Sequence, residues 1–499
     1  MAFAALLIYL IIALTSILMY FMKKRLNYWK DQGIAHDEPS FFAGNFHGVM
    51  TKRTFGDCSR AVYVKHKGSG PFCGFYFFQR PGVLILETDL MKNILIKDFS
   101  KFTDRGLFHN EKGDPLTGHL FLLDGAKWKN LRNKLSPTFT TGKMKFMYPN
   151  IISVAENFVQ VFGEMSEKTQ KVEIKELLAR FTTDVIGRCA FGIECNSLKD
   201  PNAEFRLMGK RSLNERRHGK FVNSFMQGFP ALARKLNMAI NKDEITQFFV
   251  RIVRETVAYR EQNNIKSNDF LSILMDLKNG EGKEKGISMS LEEMAAQVFV
   301  FFIGGFETSS STMGFALYEL ALNQDIQQKL RYEINEIFNA EGTTTYEALH
   351  DLPYLGQVIS ESLRKYTIVP HLNRQALVDY VVPGHSKYVI KKGMPIIIPS
   401  HAIHHDADIY PEPEKFDPER FDAANLKQRE TVEFLAFGDG PRNCIGMRFG
   451  IMQTRVGLAY LLHNFKFSPC EETEIPLIWN TKSFVLSTKN GIYLKVERV

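Results

Sequence analysis

The sequence predicts a mainly helical body, carrying at least one β-hairpin, behind an N-terminal apolar helix. Three stretches carry that prediction. Residues 1–22 contain no charged side chain and are dominated by Leu, Ile, Ala, Phe, Tyr and Met. Leu291 to Leu322 runs without a proline and starts behind a capping box, Ser290 with Glu293 three residues on. Apolar and β-branched segments alternate over 61–97, and Arg80-Pro81-Gly82 between Phe75–Phe78 and Val83–Leu86 reads as a hairpin turn.

Composition bounds the class. With 499 residues, 44% hydrophobic and 24% charged, the chain is globular rather than disordered. It is long enough for two or three average domains, or for one large domain with a well-buried core. Its 41 phenylalanines suit an apolar interior that can also line a cavity. The formal charge of +8 fits an acidic partner or a membrane surface. Nucleic acid is disfavoured, because there is no Lys/Arg-rich tract or zinc-finger spacing. The six cysteines (Cys58, Cys73, Cys189, Cys195, Cys444 and Cys470) include no CxxC pair, which points to a reduced, cytosol-facing location.

In chain order, residues 1–22 are long enough to span a bilayer core. Lys23, Lys24 and Arg25 follow at once, so the positive-inside rule keeps the rest of the chain cytosolic. The stretch lacks a basic n-region and exceeds a usual h-region, which favours an uncleaved signal anchor over a cleaved signal peptide. Residues 23–60, with Pro39 the single proline of 26–60, are expected to be linker and the start of the body; 61–499 are expected to form one domain. The segment 104–125 is loop-like, with Gly106, Gly113, Pro115 and Gly118. Residues 150–290 look mostly helical, with an apolar patch at Phe221–Phe229 and a polar, Gly- and Lys-rich loop at 279–286.

The next element, 291–322, is a helix of roughly 50 Å at the standard rise. Val298 to Ile303 is apolar all round and therefore buried. Gly304 and Gly305 cost about 1 kcal/mol each against alanine in a helix interior, so a compensating gain is expected. They open a groove, with Phe301, Gly305, Thr308 and Thr312 on one face. Glu307 beside Thr308 gives an acid and a hydroxyl able to pass protons to a bound ligand. The plain alternative is a packing notch.

Phe437 to Gly446 reads Phe-Gly-Asp-Gly-Pro-Arg-Asn-Cys-Ile-Gly. The apolar run from Ile445 to His463 puts Cys444 at or near a helix N-terminus, where the dipole and free N–H groups bias a thiol toward thiolate. Gly438 and Gly440 allow unusual backbone angles, and Pro441 stiffens the loop. Gly446 lets something flat approach, and Arg442 offers a fork of donors to a carboxylate. Together these describe a seat for haem held through sulfur; the alternative is a buried structural cysteine.

The whole Phe-x-x-Gly-x-Arg-x-Cys-x-Gly pattern resembles the haem-binding loop of the cytochrome P-450 family, the haem-thiolate monooxygenases. Other matches follow the family's order: Trp128-x-x-x-Arg132, Gly-Gly-Phe-Glu-Thr at 304–308, Glu361-Ser-Leu-Arg364 and Pro418-Glu419-Arg420-Phe421. The resemblance implies a mainly α fold with small β-sheets (α+β), the cytochrome P-450 fold. It further implies a microsomal, insect-type member on the endoplasmic reticulum membrane that oxidises lipophilic xenobiotics, insecticides, plant toxins or hormones.

By the same resemblance, Cys444 is the axial ligand of haem b, its thiolate donating electron density that favours O–O cleavage. Phe437, Gly438 and Gly446 surround the haem, and Trp128, Arg132, Arg374, Arg442 and Arg105 hold its propionates. Glu307 and Thr308 deliver protons. Glu361, Arg364 and Arg420 form a structural network under the haem loop. Phe108, Leu116, Phe301, Gly305, Val369, His371 and Phe484 line the substrate pocket, and the 221–230 patch lies over its entrance and meets membrane lipid. Thr367-Ile368 stands where the family often has Pro-Pro, just before the strand carrying Arg374. Electrons come from an NADPH-cytochrome reductase docking on Lys127, Lys129, Lys134, Lys143 and Lys145, with cytochrome b5 left open as a second donor. His401, His404 and His405 lack the partners of a metal site. Two other readings remain: a haem-thiolate isomerase or dehydratase, which the intact 304–308 motif argues against, and a non-catalytic haem- or ligand-binding protein.

Overall fold

The computed structural model describes residues 2–265, 267, 269–278, 289–341 and 344–499. The loop expected at 279–286 lies outside them. Ala2–Leu26 forms one helix, and Phe3–Leu26, whose 18-residue apolar window has a mean hydropathy of 2.4 and is not buried in protein, is long and apolar enough to cross a membrane. At its end the Arg25 guanidinium lies 5.9 Å from the ring of the exposed Phe229, so this helix leaves the body beside Phe229.

Among the described residues, nine strands make three small sheets: β1 (Phe72–Phe77), β2 (Arg80–Ile85), β3 (Lys171–Glu173), β4 (Leu372–Gln375), β5 (Tyr380–Val382), β6 (His385–Ile390), β7 (Pro395–Ile398), β8 (Phe465–Ser468) and β9 (Tyr493–Arg498). Their orders are β1-β2-β7-β4, β3-β9-β8 and β5-β6. The first hairpin is present, but its turn is Phe78-Gln79, with Phe78 at φ +55°, and Arg80-Pro81-Gly82 belongs to β2. Gly82 answers to its neighbour strand rather than to a turn: a Cβ there would stand 2.4 Å from the Pro395 carbonyl of β7.

The long helix spans Leu291–Leu322, 32 residues, and its cap is reciprocal. Ser290 Oγ accepts from Glu293 N (3.1 Å) while the Glu293 carboxylate accepts from Ser290 N (2.9 Å). It crosses the centre of the apolar core, packed on helix Ile174–Ile186, helix Pro353–Lys365 and the helix Met447–Asn464 that follows the cysteine loop. The two glycines divide the work. A Cβ on Gly305 would meet Ile186 Cδ1 at 2.3 Å, so this residue is a packing notch, whereas one on Gly304 would meet nothing within 4 Å. A second apolar core joins the β1-β2-β7-β4 sheet to helix Phe55–His66.

Candidate active site

The cysteine loop, the long helix, β4 and helix Gly125–Leu135 enclose a cavity of about 320 Å³. Cys444 N donates to Phe437 O (2.8 Å), closing the loop, and Gly438 and Gly440 take φ of +70° and +71°. Gly440 is required for a second reason: a Cβ would stand 1.9 Å from Leu95 O. The helix after the loop begins at Met447 with Gly446 as its cap, so Cys444 lies three residues before the first turn. Cys444 is exposed, and the surface it exposes is cavity wall. Burial within the protein pushes its thiol up, opposed by the Gly446 N–H and the charges of Arg132 and Arg105. The thiolate bias expected from the helix end is therefore present as an opposing influence only.

The cavity wall carries four arginines, Arg105, Arg132, Arg374 and Arg442, and among the described residues no Asp or Glu. Nε of Arg105, Arg374 and Arg442 is sealed and has no partner. Arg374 is 1% exposed and gives one bond, to Asn373 O (2.9 Å); burial and then the Arg442 charge draw it down to about 9. Burial and then Arg374 and Arg442 likewise draw Arg105 well below the usual guanidinium range. Such crowded, half-satisfied cations are costly unless an anion completes them.

The expected propionate residues are not bonded alike. Arg442 donates to Thr103 O (2.8 Å) and Leu123 O, stands 3.6 Å from Asp124 and lies 4.6 Å over the Trp128 ring. Arg132 grips the loop itself, donating to Asn443 O (3.0 Å) and Asn443 Oδ1 (2.8 Å). Gly446 leaves the other wall open, since a Cβ there would meet nothing within 4 Å. A cysteine facing the cavity, a glycine-opened floor and unbalanced guanidinium groups fit an iron porphyrin with anionic side arms.

The long helix contributes Phe301, Gly304, Gly305, Thr308 and Thr312 to the wall. Thr308 Oγ1 donates to Gly304 O (2.6 Å) and Thr312 Oγ1 to Thr308 O (2.8 Å). Glu307, expected to deliver protons together with Thr308, does not face the cavity. It is absent from the wall and pairs with Lys175 Nζ at 3.1 Å on helix Ile174–Ile186. Adjacent residues of a helix do not share a face.

Val369, His371 and Phe484 line the cavity. Phe108 and Leu116 do not, which corrects a second expectation: Phe108 packs with Met226 and Ala233, and Leu116 is wholly buried in the main core. The same loop instead sends Leu120 and Phe121 to the wall, where the Phe121 ring lies 4.1 Å from the Arg105 guanidinium. Ile186, Phe270 and Val300 also line the cavity and were not expected there.

Beneath the loop, Arg364 Nε and Nη2 hold Glu361 at 2.7 and 2.8 Å, with both side chains 0% exposed. Asp417 N adds a bond to Glu361 Oε1 (2.9 Å), and Arg420 Nε approaches it at 3.5 Å. Arg364 Nη1 continues to His404 O (2.8 Å), and His404 Nε2 accepts from Leu435 N (2.8 Å), which ties the network to the start of the cysteine loop. Thr367, one of the two residues in the place of Pro-Pro, bonds His404 Nδ1 (2.8 Å). The six cysteines are unpaired, and no group of His, Cys, Asp or Glu among the described residues could hold a metal ion.

The chain matches the family model described as Cytochrome P450 over residues 38–496. It is 56% identical to "Probable cytochrome P450 6a21" of Drosophila melanogaster over 98% of both chains. It is 54% identical to "Cytochrome P450 6a2" of the same organism over 99% of both, and 49% identical to "Cytochrome P450 6A1" of Musca domestica over 100% of this chain and 99% of the relative. A family match across nearly the whole body and identity of this extent establish that the chain belongs to the cytochrome P450 family of haem-thiolate monooxygenases.

Proposed function

We propose that the protein inserts one atom of O2 into lipophilic xenobiotics or hormones on the cytosolic face of the endoplasmic reticulum, using electrons from an NADPH-cytochrome reductase. The observation that carries this reading is the cavity wall: the exposed thiol of Cys444, four arginines, no carboxylate among the described residues, and a lining otherwise rich in Phe, Leu, Ile and Val. Haem b, bound through Cys444, supplies the oxygen chemistry. The chain's own residues do the rest. Arg105, Arg374 and Arg442 would hold the anionic side arms, and the Trp128 ring centroid lies 4.6 Å from the Arg442 guanidinium. Arg132 fixes the carbonyl and side chain of Asn443, next to the ligand. Phe301, Val369, His371 and Phe484 exclude water and orient an apolar substrate. Thr308 holds a hydroxyl proton at the wall.

The apolar helix Phe3–Leu26, followed by the exposed Phe221 and Phe229, supports a membrane-resting body. Lys129 and Lys143 are exposed and, among the described residues, carry no ion pair, so they favour an acidic docking partner. Lys127 is paired with Glu111 and Lys145 with Glu347. The test is spectroscopic and catalytic. Reduced protein under carbon monoxide should show the red-shifted Soret band of a thiolate ligand, and Cys444→Ser should lose it. With reductase and NADPH the parent should consume NADPH and oxidise a lipophilic compound; binding without either would favour a ligand-holding protein.

A further inference from the structure

His371 is 2% exposed, yet it makes no hydrogen bond to protein among the described residues. Nδ1 is sealed without a partner, while Nε2 is not among the sealed atoms and the residue lines the cavity. Burial alone draws the imidazole down to about 4, so at neutral pH the ring carries one proton for two nitrogens. A proton on Nδ1 would be a buried donor with nothing to receive it; on Nε2 it faces the cavity. The partners available thus assign the Nε2–H tautomer.

The ring is held rather than free. Ser400 Oγ donates to Val369 O (2.9 Å) and His401 N to Pro370 O (2.9 Å), fixing the backbone just before it. Phe46, Phe55 and Phe484 surround the imidazole with ring centroids 6.3, 6.0 and 6.5 Å away. Those rings offer no hydrogen-bond partner. Of the hydroxyls on the cavity wall, Thr308 and Thr312 donate to helix carbonyls, Ser309 accepts from Gln453 Nε2, and the sealed Thr138 Oγ1 has no partner, His371 included.

We infer that His371 is a specificity-determining residue: its Nε2–H donates to a neutral acceptor oxygen (carbonyl, ether or epoxide) on a substrate that is otherwise apolar. The inference rests on the function proposed above. A site built to bond one polar group discriminates against the analogue that lacks it, because its own donor is then left unmet.

The experiment uses the full-length, haem-loaded protein and a matched pair, 9-fluorenone and fluorene, which differ by one carbonyl. Each is titrated while the shift of the Soret band is read. The parent should bind the ketone about tenfold tighter than the hydrocarbon, a ratio worth about 1.4 kcal/mol. His371→Phe should weaken the ketone about tenfold and leave fluorene within twofold. His371→Gln, which keeps a donor, should retain most of the preference. Equal affinities in the parent, a preference that survives His371→Phe, or a band that neither compound moves would each overturn the inference. If neither His371→Phe nor His371→Leu loads haem while His371→Gln does, the ring nitrogen serves folding and the inference fails as well. Failure of the proposed function reads differently, as ketone that binds but yields no oxidised product with reductase and NADPH.

Discussion

Glu307 and Lys175 form an ion pair of 3.1 Å between the long helix and its neighbour, with side chains only 16% and 15% exposed. The acid of the Glu-Thr pair is thus held from behind, while the hydroxyl beside it faces the cavity.

The two charges should act as one unit. Lys175→Met and Glu307→Gln should each lower stability by about 1.5–3 kcal/mol, the range for a hydrogen bond to a charged group. The double variant should lose less than the sum, because each single change already breaks the pair. Denaturant unfolding of the haem-loaded variants measures this. Strictly additive losses would mean that the pair contributes nothing as a pair.

The Glu361 network predicts a ranking. Glu361→Ala strands Arg364, which is 0% exposed, and should cost about 3–5 kcal/mol. Arg420→Ala should cost less, because its Nε stands 3.5 Å from Glu361, its side chain is 11% exposed, and Nη2 is also served by Glu412 O. Yield of haem-loaded protein and unfolding midpoint give the order. Equal losses would show that Arg420 is as integral as Arg364.

His109 predicts a pH dependence. Its Nε2 lies 3.5 Å from Asp124 and its Nδ1 3.6 Å from Glu111, and these carboxylates, Asp124 first, raise it to about 9. A group raised above its unfolded value near 6.5 adds stability that is whole below that value and lost as pH climbs through the folded one. Between pH 6.5 and 9 the parent should therefore lose stability that His109→Gln never had. Unfolding midpoints measured across that window should converge. Parallel curves would mean that His109 is not charged by its neighbours.

What was legible in the sequence follows from what local chemistry dictates. The long helix was readable because Ser290 and Glu293 mark its start and no proline interrupts it. Cys444 was readable because Gly438 and Gly440 both adopt the backbone that only glycine takes easily. The errors are of a different kind. Glu307 was paired with Thr308 in proton delivery because the two are adjacent in sequence, although one helical step turns a side chain by about 100°. Phe108 and Leu116 were chosen from a loop whose sequence carries no period, so nothing local could say that Phe121 turns inward instead. The turn was placed at Gly82 because glycine signals turns, whereas here it makes room for Pro395 on a strand distant in sequence. The partners of Arg442, two backbone carbonyls and Asp124, are likewise long-range facts.

Thr308 predicts how well electrons are used. Its Oγ1 donates to Gly304 O at 2.6 Å, a bond that holds the hydroxyl in the helix groove at the cavity wall. The function proposed above makes this hydroxyl the group that orders protons for oxygen chemistry in the cavity. Thr308→Ala should keep the haem and its thiolate spectrum, bind substrate and still consume NADPH. It should return less hydroxylated product and more hydrogen peroxide per NADPH. Thr308→Ser preserves the hydroxyl and should stay close to the parent. The measurement is the ratio of product to NADPH consumed in the two variants beside the parent. Should alanine and serine couple equally well, Thr308 is a packing residue, and the proton route lies elsewhere on the wall; the next hydroxyl along the same face is Thr312, bonded to Thr308 O at 2.8 Å.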